Sequence, residues 1–428
     1  MKLQRSVPHI AWCLATIGAF AIGKWPPSSH EPTVANATSM PTEDRSLLGQ
    51  PKGQSAGSES STATESELQS SAMMSETELS NIAREAIKDP NPLKRSLAFA
   101  KLLQSMTPEN AAMIEKQMRE LDAGGDEWRM FRYAWGAIDG QAAFAAASTI
   151  EDDRSRNRAR SAAVSGWASA EPSDAIAWMN NLEAGDDKER LQEGLVSGLA
   201  DNNITVATNY VLKLGDEGNR RADDYLEDVA SEQLRSQGVD ASARWSELLP
   251  DGPLKGAAMD RVANAYVDQD PAAAAAWAER FAADDYAARV IEEVGDEWAE
   301  RKPAEAVNWL ESLPESEGKK EGMESALGEW VRRDPTAASE YLASMADSPT
   351  KDAAIGGFVS RLAWEDHDAA IAWASTIGQE NQRTEALVDA ARAFFRRDRD
   401  AAVAWLETSG LPPEAQKKVT ESRRGRRD

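Results

Sequence analysis

A single recurring phrase limits what this chain can fold into. DPAAAAAW at 270–277 returns as KPAEAVNW, DPTAASEY, DHDAAIAW and DRDAAVAW, closing at Trp309, Tyr341, Trp373 and Trp405. The same phrase closes earlier at Trp178, Tyr210 and Trp245, and neighbouring aromatics stand 32 residues apart, except for 35 between Tyr210 and Trp245. Counting back by 32 reaches Ala146 and Ile114, which keep the surrounding pattern without the ring, so the chain carries about ten registers. A fixed period of this size marks an array whose units bury their apolar faces only on their neighbours.

Each register repeats the same physical demands. Seven residues before the aromatic stand Thr107, Asp139, Glu171, Asn203, Gly238, Asp270, Lys302, Asp334, Asp366 and Asp398, mostly side chains that cap a helix N-terminus. Pro108, Pro172, Pro271, Pro303 and Pro335 follow directly, where a missing N–H costs nothing. Three residues before the aromatic come Ala111, Ala143, Ala175, Ala207, Ser242, Ala274, Ala306, Ala338, Ala370 and Ala402, which predicts close helix approach. Four residues after it come Met118, Ile150, Leu182, Leu214, Leu249, Phe281, Leu313, Met345 and Ile377, with Ser409 as the exception, on the same helical face. A second helix fits the rest of each period and ends at Trp135, Trp167, Leu199, Leu234, Tyr266, Trp298, Trp330, Leu362 and Phe394. No strand candidate of any length interrupts this, so the expected fold is all-α, an α-solenoid of about ten 32-residue helix-turn-helix repeats.

The organisation resembles the helical-hairpin repeat superfamily of tetratricopeptide, Sel1 and HEAT repeats over roughly residues 75 to 420. It differs from the tetratricopeptide repeat in its 32-residue period, against ~34, in lacking W-x-x-L-G-x-x-Y, and in using proline to open the first helix. The resemblance implies a superhelical stack that serves as a protein-binding scaffold. Residues 75–106 are expected to form an N-terminal helical cap, 107–416 the repeats, and 417–428 a polar and basic tail with Arg423, Arg424, Arg426 and Arg427.

At the N-terminus Lys2 and Arg5 precede an apolar run from Val7 to Gly23, and the segment stops at Lys24. Residues 1–24 therefore read as a signal peptide or a transmembrane anchor, and both place the remainder outside the cytoplasm. Residues 25–74, rich in Ser, Thr, Pro, Glu and Gly, read as a disordered linker. As a coil, some fifty residues reach roughly 40 Å. With 72 acidic against 48 basic side chains and a net charge of −24, nucleic acid and anionic surfaces are disfavoured as partners. The only cysteine, Cys13, lies in the apolar run, so a disulfide framework and a thiolate metal site are excluded from the repeats.

Chemistry-bearing motifs are scarce. P-loop, dinucleotide, nucleophile-elbow and zinc-protease signatures are missing, and His367 alone of the three histidines falls among the repeats. Adjacent acids at Asp152-Asp153, Asp186-Asp187, Asp223-Asp224 and Asp284-Asp285 fall in or near predicted turns, where they read as solvated. The three extra residues between Tyr210 and Trp245 fall in a predicted turn within GDEGNRRADDY, and insertions in arrays map to one face, often the binding face. Arg220, Arg221, Asp223, Asp224 and Tyr225 are therefore candidate partner contacts, joined by Trp364, which stands outside the registers beside a turn.

These observations lead to a non-catalytic, exported scaffold that is tethered to the membrane through its N-terminal segment only. It binds a protein or peptide in the cell envelope, with no cofactor and no metal. The alternative is a helical envelope enzyme acting on polysaccharide, a glycosidase or lyase drawing two carboxylates from different hairpins. A spacer without a specific ligand is the third reading. The oligomeric state stays open.

Overall fold

The computed structural model describes residues 75–183 and 185–421; the expectations for 1–74 and for 422–428 fall outside the described residues. Among the described residues there are 22 α-helices and no strand, with many helices packed side by side, compatible with a helical repeat fold. None of these helices is long and apolar enough to cross a membrane.

The chain divides into two compact units, residues 1–163 and 164–428. The first contains α1 (Glu76–Lys88), α2 (Pro92–Gln104), α3 (Ala111–Glu120), α4 (Gly125–Ile138) and α5 (Gly140–Ser148), and the division falls within α6 (Asp153–Ala170). The second continues with α7 (Pro172–Asn180), α8 (Asp186–Asn202), α9 (Ile204–Asp216), α10 (Ala222–Gln237), α11 (Val239–Glu247) and α12 (Pro253–Gln269). It then runs through α13 (Pro271–Ala278), α14 (Ala288–Ala299), α15 (Pro303–Ser312), α16 (Glu317–Arg333), α17 (Pro335–Ser344) and α18 (Pro349–Leu362). It ends with α19 (His367–Ala374), α20 (Glu380–Arg397), α21 (Arg399–Thr408) and α22 (Pro413–Thr420). From α3 to α21 the odd-numbered helices carry the repeated phrase.

The cap residues act as their chemistry requires. Asp270 Oδ1 accepts the backbone N–H groups of Ala272 and Ala273 at 3.1 Å each, and Asp139, Asp334, Asp366 and Asp398 each accept one N–H three residues on. Glu171 departs from the rule: it accepts the Trp167 indole N–H at 3.2 Å, because its longer side chain reaches past its own helix end. The alanines at the −3 position, together with Ser242, are wholly buried at 0% exposure. The aromatics of the phrase are mostly half-buried and pair with the ring at the end of the preceding helix. Trp167–Trp178, Trp298–Trp309 and Trp330–Tyr341 have centroids 5.3, 6.1 and 5.5 Å apart, within the range where tilted rings attract.

Two further devices recur. In the first turns of the longer helices a cation reaches back to the carbonyl of the apolar residue that ends the shorter helix before it. Arg156 donates to Ile150, Lys188 to Leu182, Lys319 to Leu313, Lys351 to Met345 and Arg383 to Ile377, at 3.0, 3.1, 2.8, 2.9 and 2.8 Å. A cation near its own helix N-terminus opposes that dipole, but here it satisfies the orphan carbonyls of the neighbouring C-terminus. Second, neighbouring longer helices touch backbone to backbone. A Cβ on Gly198, Gly256 or Gly357 would overlap the carbonyl oxygen of Ser165, Tyr286 or Glu324, and within the first unit one on Gly136 would overlap that of Ala163.

The irregular register resolves differently from the predicted loop insertion. The shorter helices around α9 have 8–10 residues whereas α9 has 13, so the extra length forms another turn of helix. Leu214 is 6% exposed and holds that turn in the core, and Gly218, at φ 80°, ends it in the left-handed region that glycine tolerates. At the other end, α22 extends the folded part into the segment read as tail. Leu411, Ala415 and Val419, spaced by four, bury one face against Val388 and Ala391 of α20.

Gly356 and Gly357 make a paired test. Gly357→Ala is expected to destabilise by about 1–3 kcal/mol, because its methyl meets backbone. Gly356→Ala, where the nearest atom is a Glu324 carboxylate oxygen at 3.8 Å, should be neutral or slightly stabilising. Urea midpoints of the two variants check this; equal midpoints would refute the backbone contact.

Candidate functional site

The most distinctive surface feature lies in the second unit and was not among the sequence candidates. Six residues before the apolar end of each longer helix stand Glu193 on α8, Asp228 on α10, Asp260 on α12, Glu292 on α14 and Glu324 on α16. One register repeated on parallel neighbours places one carboxylate on each of five helices, and the side chains fall on one face. At the next register the residue is Gly356, where an added Cβ would lie 3.8 Å from a Glu324 carboxylate oxygen.

These carboxylates sense one another. Burial by surrounding helices raises the Asp228 carboxyl to about 6, and the negative charges of Glu193, Glu227 and Asp224 add to it. Asp260 is raised to about 7, first by burial and then by Glu293 and Glu227, with Arg289 only partly opposing. Glu292 is raised by burial and by Glu321, and Glu324 by burial and by Glu292 and Glu321. Asp228 and Glu324 nevertheless stay solvent-exposed, so they are crowded rather than sealed. Among the described residues none of Asp228, Asp260, Glu292 and Glu324 has an ion-pair partner within 4.0 Å. Glu292 Oε1 accepts only a weak bond from Ser325 Oγ at 3.4 Å, and Glu293 accepts from the Asn264 amide. The result is a line of uncompensated negative charge, suited to a cationic group arriving from solvent.

The candidates around the irregular register are brought together but serve several purposes. Tyr225 is fully buried, and its hydroxyl donates to the Glu189 carbonyl at 3.0 Å. The Arg221 guanidinium lies 5.0 Å from the Tyr225 ring and pairs with Glu193 and Asp224, each at 3.4 Å. Arg220, Asp223 and Asp224 are exposed. Arg221 thus joins this cluster to Glu193, the first carboxylate of the row. Trp364 lies apart, 59% exposed, with the Arg396 guanidinium 4.5 Å from its ring centroid. The paired acids in turns are local caps. Asp152 accepts from Ser155 N–H at 2.8 Å, Asp153 pairs with Arg156, and Asp284 accepts the Tyr286 hydroxyl at 3.0 Å. His367 stacks on Phe394 with centroids 4.0 Å apart. No group of three or more His, Cys, Asp or Glu side chains suited to a metal ion occurs among the described residues.

The row was legible in principle. Aligning the chain on the ends of the second helices, instead of on the phrase, exposes an acid at the same offset in five successive registers.

The raised carboxyls make stability depend on pH. A group raised in the folded chain keeps its proton there after the unfolded chain has released it. Stability therefore falls as pH climbs from the ordinary aspartate value toward about 7, and the loss is complete above that. Asp260→Asn should stabilise the protein by on the order of 1–2 kcal/mol at pH 8, after solvent screening, and hardly at all at pH 4. Urea unfolding at both pH values decides it, and equal effects would contradict the crowding. Comparison of the chain with protein-family models, with curated proteins and with solved structures finds no match.

Proposed function

We propose that the protein is a helical-repeat scaffold of about ten 32-residue helix-turn-helix units, spanning 107–416 behind the cap at 75–106. It holds a protein or peptide partner without catalysing a reaction. Residues 1–24 carry it out of the cytoplasm, as a cleaved signal or a retained anchor, and 25–74 space the folded part from the membrane. The observation that carries the binding reading is the row Glu193, Asp228, Asp260, Glu292 and Glu324, presented at constant offset, of which only Glu193 has an ion-pair partner, Arg221, among the described residues. A partner segment rich in Lys or Arg regains on binding the charge compensation that the row lacks, and it is steered there by the field of a chain with net charge −24.

A labelled Lys/Arg-rich peptide should bind the full chain, with affinity falling as salt rises. Removing two charges of the row with Glu292→Gln and Glu324→Gln should weaken binding about tenfold, at roughly 0.7 kcal/mol per contact. Fluorescence anisotropy across a salt series tests this, with circular dichroism as the check on folding. Equal binding by the parent and the double variant would sink the proposal.

Asp260 also favours the enzyme reading. A carboxyl raised to about 7, first by burial and then by Glu293 of a different helix, has the profile of a general acid with a second carboxyl group nearby. Release of reducing ends from envelope polysaccharide, abolished in Asp260→Asn, would support it. No release by the parent protein would dismiss it.

A further inference from the structure

The outer side of α2 has features that neither the core nor the carboxylate row accounts for. On its inner side α2 buries Ala98, Phe99 and Leu102 in the core of the first unit. The opposite side is apolar where solvent would favour polar groups: Leu93 and Leu97, one turn apart, are 68% and 64% exposed. An exposed leucine alone is ordinary, but two at i and i+4 form a stripe. Lys94 and Lys101, both exposed, flank that stripe on one side at helical spacing. Between Lys88 and Gln104 stand four basic residues, Lys88, Lys94, Arg95 and Lys101, against one acid, Asp89, in a chain of net charge −24. Arg95 spends its hydrogen bonds on the Asp89 and Pro90 carbonyls, so its charge meets no carboxylate there. The Glu78 carboxyl is lowered first by its hydrogen bonds from Ser75 and only last by the Lys101 charge; with Glu78 and Asp89 counted against the four cations, the patch still keeps a net positive charge.

We propose that this face of α2 rests on an anionic bilayer surface, its leucines at the headgroup boundary and its lysines on the lipid charges. Amphipathic helices with leucines between lysines bind in this way. The acidity of the rest of the chain does not forbid it, because charges more than about 8 Å away are screened at physiological ionic strength. The bilayer is favoured as occupant by the chain that precedes the folded part. The 17-residue apolar run Val7–Gly23 lies upstream of a linker that ends at α1, the helix packed on α2. Wherever the apolar run meets a bilayer, the hairpin of α1 and α2 is therefore the folded part nearest to it in sequence.

The test uses the full chain with Cys13→Ser and a single new thiol, Gln104→Cys, carrying an environment-sensitive fluorophore. An Asn308→Cys probe on α15 serves as the control. On vesicles of mixed phosphatidylcholine and phosphatidylglycerol, the probe at 104 should shift to the blue and be quenched several-fold more by spin-labelled lipid than on phosphatidylcholine alone. The probe at 308 should respond to neither. Leu93→Ser with Leu97→Ser, or Lys94→Glu with Lys101→Glu, should remove the difference; all four sites are exposed, so folding is preserved. Attachment through residues 7–23 is common to every variant, so the comparison isolates α2. Equal responses on both vesicle types, or responses unchanged in the variants, would overturn the proposal. A blue shift without vesicles that grows with protein concentration would overturn it too, since a second copy would then cover the face.

Discussion

Everything else in the second unit follows from how closely its longer helices approach. Where Gly198, Gly256 and Gly357 stand against the carbonyls of Ser165, Tyr286 and Glu324, the absence of a side chain sets the separation between helix axes. The buried alanines at the −3 position do the same for the shorter helices. At separations near ~8–10 Å, the guanidinium groups of Arg301 and Arg333 reach the carbonyls of Val267 on α12 and of Arg301 in the turn after α14, and Tyr341 reaches Glu311. The same spacing brings the row of carboxylates within one screening length of each other. Close packing thus supplies the clamps that hold the helices and also creates the repulsion that strains them.

The features legible in the sequence were those that repeat and have one physical cause each. Asp270, Asp334 and Asp398 signalled helix starts because a short carboxylate before alanines has few other uses, and Ala306 signalled close packing because nothing larger ever took its place. What escaped had more than one possible cause. Lys319 looks like any surface lysine, yet it is 6% exposed, with its amine on the Leu313 carbonyl. Asp260 and Glu292 look like a solvated helix face, and only their alignment with neighbours two helices away reveals the row. Tyr225 sits in a polar run, GNRRADDY, but its ring is the hydrophobic side of α10 and is fully buried. The irregular register could not be assigned to helix or loop from its length alone, since three to four residues make one helical turn as readily as a longer bend.

The charge of the chain takes on a sharper meaning with the structure in view. Some acids are neutralised locally: Glu247 by Arg280, Asp251 by Lys255, Glu329 by Arg332 and Arg361. The four members of the row without an ion pair are set apart by their common register and by the burial that raises their carboxyls. Neutral isosteres there are expected to make a more stable protein, so the row is a stability cost that no ion pair among the described residues offsets at Asp228, Asp260, Glu292 and Glu324.

The clamps from the longer helices to the carbonyls behind them span only six residues, as in Lys351 to Met345, and the longest polar contact described, Tyr225 to Glu189, spans 36. With so little of the chain needing to be gathered before any contact forms, loop-closure entropy is low and assembly is fast and local. A nascent chain has no need to wait for its far end. Each hairpin closes as soon as its own residues are free, and each one docks on the hairpin that emerged before it.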